Sequence, residues 1–264
     1  MYGNTLFCIY LEKTMKISRI SALHYTILIY RSALFFLALY GYLFHILNAG
    51  VDLFGIPFPI IIVIWGVYVV EMIFRFFPSR FESMGCQKQF PKNYLATGKE
   101  FDAAEKKHQD KTILIVALLW IALNLILGIF FWIGWISKEV LFLTSLAFGA
   151  CDMICILFFC PFHTWIMKNK CCVSCRIYNW DYVMMFTPLI FIRHFFTWSL
   201  LLLAIGLLVK WEFTARRHPE RFLEKNNKNL SCANCEEKLC HHKKSLQRFL
   251  KKQKRLIMDE RLKK

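Results

Sequence analysis

Long apolar blocks constrain this chain more than any motif does. Residues 32–47 (extended backwards through 24–31), 56–77, 112–136 and 140–162 are nearly free of charge. Crossing about 30 Å of hydrocarbon takes roughly 20 residues of helix, so each block reads as a span. None alternates with a period of two, which excludes barrel strands and leaves helices. Of the 264 residues 57% are hydrophobic, more than a soluble domain of this size uses to fill its core. The expected fold is an all-α, polytopic, integral membrane protein with four to five spans.

A fifth block, 182–209, is harder to place, because Pro188 and the pair Arg193–His194 interrupt it. Its 28 residues would make a straight helix of about 42 Å, too long for one upright crossing and too short for two. Charge sharpens the problem. Basic residues collect in loops that stay inside, and the loop 78–111 carries Arg80, Lys88, Lys92, Lys99, Lys106, Lys107 and Lys111, whereas 48–55 carries none. From Lys210 onward there are 17 Lys and Arg against 7 Asp and Glu, so the tail also belongs inside. One crossing by 182–209 would put it outside. Two resolutions follow: a tilted single crossing, or a re-entrant or interfacial segment at 182–194 with a bend at Arg193–His194 and a return over 195–209.

The chain then divides into an interfacial segment at 1–23, which shows no cleavable signal, a membrane domain at 24–213 with inner loops 78–111 and 166–181, and a basic tail at 214–264. The expected location is the inner or plasma membrane, with the N-terminus and both cysteine clusters cytoplasmic.

Those clusters are "CCVSC" (Cys171, Cys172, Cys175) and "CANCEEKLCHH" (Cys232, Cys235, Cys240, His241, His242). C-x-x-C spacing lets two sulfurs face one ion from a tight turn. With both knuckles on one side, Cys172, Cys175, Cys232 and Cys235 form a four-thiolate site for Zn or an Fe–S cluster, with Cys240 in reserve. With the knuckles apart, the tail uses Cys232, Cys235, Cys240 and His241 or His242, and the loop recruits Cys86, with Cys171 as a spare. A redox dithiol is the alternative chemistry. Cys8, Cys151, Cys155 and Cys160 read as small apolar fillers, and Pro161 argues against Cys160 and His163 as a ligand pair.

Asp152, in mid-span, demands a partner, with Arg193, Arg31 and His163 as candidates. Glu71 and Arg75, four apart, suit a local helical pair. In "KKSLQRFLKKQKRLIMDERLKK" an apolar stripe faces Lys243, Lys244, Arg248, Lys251 and Lys252, which fits an interfacial helix on anionic lipid headgroups. Nothing in it reads bases, which argues against nucleic acid. No hydrolase, kinase or dehydrogenase motif occurs. Three roles remain: a metal-stapled scaffold or assembly factor with a membrane-protein partner, a membrane electron-transfer or thiol-redox protein, and a small transporter built on Asp152.

Overall fold

The computed structural model describes residues 19–48, 56–80, 82–168, 171–237 and 239–240. His241, His242, Lys243, Lys244, Arg248, Lys251, Lys252 and most of the N-terminal segment lie outside them. Five helices are long and apolar enough to cross a membrane: α1 (Arg19–Asn48, within which Ala22–Phe44 is the apolar span), α2 (Phe58–Arg75), α3 (Ala103–Trp132), α4 (Lys138–Leu157) and α6 (Phe195–Arg217). A short helix, α5 (Asp181–Phe186), precedes α6. The described residues contain no β-strand, and the chain is an all-α, multi-pass fold.

Local chemistry sets the boundaries. Pro57 precedes α2, where its missing N–H costs no helical bond. The Asp102 carboxylate caps α3 by accepting from Glu105 N at 2.9 Å. Outward-facing residues of α3 such as Leu118, Ile121, Leu125 and Ile129 are exposed, a surface that only hydrocarbon solvates without penalty. α4 lies at the centre of the bundle, with its inward face against α1 and α5.

The segment 182–209 makes two legs. α5 and a 3-10 turn over Thr187–Phe191 run along α4, where Ser145 Oγ donates to Met185 O at 2.8 Å. Gly149 and Gly128 make room for this leg: a Cβ on Gly149 would lie 2.3 Å from Met185 Sδ, and one on Gly128 2.3 Å from Phe191 Cζ. The chain turns at 192–194, held by Thr197 Oγ1 donating to Ile192 O (2.7 Å) and His194 O (2.9 Å). Phe191 there meets Phe131 and Trp132 at the end of α3, and Phe196 meets Phe58 at the start of α2. α6 then runs back to where α2 ends and α3 begins. The interruption at Pro188 and Arg193–His194 is therefore a reversal.

Because of that reversal the tail returns beside the loops that follow α2 and α4 and forms a polar cap with them. Lys228 N donates to Leu95 O (2.8 Å), Thr97 N to Asn226 O (3.1 Å) and Asn229 Nδ2 to Asn93 O (2.9 Å). Beneath these bonds a second apolar core joins Cys86, Val173, Cys175, Tyr178, Trp211, Phe222, Leu230 and Leu239. Gly85 is required at this seam, since a Cβ would sit 2.7 Å from Asn229 O and 2.4 Å from Val173 Cγ1.

Candidate functional site

Where the bundle meets the cap, a guanidinium with no exposed surface gathers acids from three other helices. Arg31 of α1 lies 2.7 Å from Glu71 Oε1 of α2, 3.5 Å from Asp152 Oδ2 of α4 and 3.7 Å from Asp181 Oδ2 of α5, and it donates to Gly149 O. Arg75 shares Asp181 at 3.7 Å, reaches Glu82 at 3.2 Å and donates to Asn179 Oδ1 at 2.8 Å. The Tyr182 ring stands between the two cations, 5.4 Å from Arg31 and 5.3 Å from Arg75. Two expectations change. Glu71 and Arg75 each turn to partners on other elements instead of forming a local pair, because the crossing of α1 and α2 puts Arg31 nearer to Glu71. Arg193 is exposed at the 192–194 turn, at the far end of the bundle from Asp152.

Two arginines thus face Glu71, Glu82, Asp152 and Asp181. Removing one member of such a buried network costs on the order of 3–5 kcal/mol, because its partners stay buried and uncompensated. The acid excess invites a further cation, and Asp152 and Asp181 line the place where one would enter: a cavity of about 140 Å³ between α3, α4, α5 and the start of the cap. Its wall also holds Cys151, Cys155 and Cys160 from the end of α4 and beyond, His163, Cys172 and Cys175 from the loop knuckle, and Met184 and Met185. The Cys155 thiol hydrogen-bonds with Cys160. Trp120 Nε1 and Asp181 Oδ1, both on this wall, are buried with no hydrogen-bond partner among the described residues. Such atoms mark a position that a polar guest completes.

The first knuckle belongs to this cavity. Lys88, seated over the Trp211 and Phe222 rings, donates to Val173 O (2.7 Å) and Cys175 O (2.8 Å). That fixes the turn with its thiols toward α4: Cys172 Sγ lies 4.0 Å from Ile156 O and Cys175 Sγ 3.7 Å from Met167 Sδ. Burial pushes the Cys175 thiol up to about 12 and the Lys88 ammonium down to about 8. Arg176 completes the support, paired through two bonds of 2.7 and 2.8 Å with Glu212 of α6.

The second knuckle lies elsewhere. Cys235 is half-buried against the cap core near Val173 and Gly85, and Cys232 and Cys240 are exposed. Cys86 donates to Glu237 Oε1 at 3.2 Å, and Glu237 also meets His24 at 2.9 Å, pinning the tail to α1. The half-buried Cys171 rests on Ser174. The two knuckles share one end of the bundle, yet among the described residues no three His, Cys, Asp or Glu side chains are gathered so as to hold one ion. The four-thiolate arrangement of Cys172, Cys175, Cys232 and Cys235 is therefore not assembled, since the first pair turns into the bundle while Cys235 packs on the cap.

Sequence reasoning treated Cys151, Cys155 and Cys160 as fillers and passed over Lys88 and Asp181. The signal for two of the cysteines was their spacing: Cys151 and Cys155 stand four apart on one face of α4, with Asp152 three before Cys155, whereas Cys160 lies beyond the end of the helix. Compared by sequence and by fold with known proteins, the chain matches no family model, no curated protein and no solved structure.

Proposed function

We propose that this multi-pass membrane protein takes a thiophilic metal cation, of the Zn(II) or Cu(I) kind, into the cavity beside the two-arginine network, as a ligand or cargo. One observation carries this reading: Cys155, Cys160, Cys172, Cys175 and His163 converge on a single cavity whose inner wall has more carboxylates than cations. The acids favour positive charge, and the thiol, imidazole and thioether lining selects a soft or borderline ion. Mixed donors suit one ion better than an all-thiolate Fe–S cluster. Binding one ion here draws donors inward from the cavity wall, among them Cys155, Cys160, Cys172, Cys175 and His163.

Burial of Cys175 weighs against the redox alternative, because a thiol held near 12 is a poor nucleophile, whereas a metal displaces the proton directly. The positive charge of the loops and tail supports a cytoplasmic cap at an inner or plasma membrane as part of this reading. Lys243, Lys244, Arg248, Lys251 and Lys252 then meet anionic headgroups there.

Titrating Zn(II) into reduced, metal-free, full-length protein in detergent tests the reading. One ion binds the parent chain, Cys172→Ser/Cys175→Ser loses it, and Cys232→Ser/Cys235→Ser keeps it. Loss in both variants would restore the joined knuckle site, and loss in neither would remove the cavity as a metal site.

A further inference from the structure

A second cavity lies on the opposite side of the arginine network, and no thiol lines it. It measures about 210 Å³ and opens between α1, α2 and the cap loop. Its mouth is apolar: Phe74 and Phe77 are 70% and 62% exposed at the height where α2 leaves the bundle. Its interior is polar, with Tyr30, Glu71, Glu82 and Gln89 on the wall. Gln89 is only 8% exposed, and its Oε1 is buried with no hydrogen-bond partner among the described residues. Arg75, the cation on this wall, is already bonded to Asp181, Glu82 and Asn179.

Glu71 Oε1 and Glu82 Oε1 are held by Arg31 and Arg75, but Glu71 Oε2, like Gln89 Oε1, is buried with no hydrogen-bond partner among the described residues, so the place offers open acceptors and lacks a donor. A primary ammonium supplies three N–H donors from a compact head. The apolar mouth on the lipid-facing surface adds the second requirement, a tail. We infer that this cavity binds the headgroup of a membrane lipid bearing a primary amine, an ethanolamine-type phospholipid, with its ammonium toward Gln89 Oε1 and Glu82 and its chains along Phe74 and Phe77. Tail burial holds the lipid at the mouth, and the ammonium selects it from others of the same tail. This site does not depend on the metal reading, since it shares only the arginine network with that cavity.

The test is thermal unfolding of delipidated, full-length protein in detergent with added phosphatidylethanolamine, phosphatidylcholine, phosphatidylglycerol or free ethanolamine. Phosphatidylethanolamine should raise the midpoint more than the other three. Gln89→Met, which removes the acceptor and touches no ion pair, should weaken that response about tenfold, the usual effect of one lost hydrogen bond to a charged group. Glu82→Gln is the second variant and should weaken it likewise. Equal responses to the ethanolamine and choline lipids would overturn the inference, because trimethylation removes every N–H. A stronger response to phosphatidylglycerol would overturn its sign, and an equal response to free ethanolamine would overturn the lipid assignment. An undiminished response in both Gln89→Met and Glu82→Gln would overturn the placement.

Discussion

Lys88 sits in a basic loop whose other lysines fit a solvated surface, yet it has no exposed area. Its ammonium holds two carbonyls of the first knuckle, so its titration is tied to the cavity wall. In the unfolded chain the proton stays until about 10.5, and in the fold it leaves near 8. Between those values the unfolded state binds more protons, so stability rises with pH through that window. Cys175 has the opposite sign: the unfolded thiol ionises at 9.0 and the folded one near 12, so its contribution is present below 9 and declines above it. A pH series of thermal midpoints should therefore rise from pH 8 to 9, level off between 9 and about 10.5, and fall beyond that. Lys88→Met should abolish that rise and lower stability overall, since each orphaned carbonyl costs about 1–3 kcal/mol. The lysine was legible as charge and illegible as an internal ligand, because burial of a loop residue depends on the tail folding over it.

The leg over 181–191 decides how the membrane domain closes. It approaches α3 and α4 only because Gly128 and Gly149 carry no side chain, and Phe191 is the less adaptable neighbour of the two. Gly128→Ala should cost roughly 1–3 kcal/mol in thermal unfolding, the usual penalty of overpacking. Gly66→Ala, where an added Cβ has nothing within 4 Å, should be silent and serves as the control. Long apolar runs announce helices because length and composition suffice for that. A break in a run does not say whether the chain bends, stops or reverses; here the turn depends on Thr197 bonding Ile192 and His194 and on Phe191 finding Gly128. Partner choice inside the bundle was equally hidden, since Glu71 is four residues from Arg75 in sequence but reaches Arg31 across a helix crossing.

At the scale of the molecule, five spans and one short leg bring the loop 171–180 and the tail 219–240 to the same end. Membrane-impermeant thiol reagents should label Cys232 from the side that labels Lys92→Cys, and Ser137→Cys from the other; Cys232 labelled together with Ser137→Cys would place the tail across the membrane. C-x-x-C spacing made both knuckles visible as potential ligands, but spacing does not say which way a thiol faces. That information sits in Lys88, Trp211 and Phe222, far apart in the chain. The most direct measurement is X-ray absorption at the zinc edge of zinc-loaded, full-length protein. Sulfur near 2.3 Å together with nitrogen near 2.0–2.1 Å is the expected first coordination sphere, with the sulfur signal lost in Cys172→Ser/Cys175→Ser and retained in Cys232→Ser/Cys235→Ser. A sphere without sulfur, or one unchanged by Cys172→Ser/Cys175→Ser, would contradict a thiophilic site in the cavity.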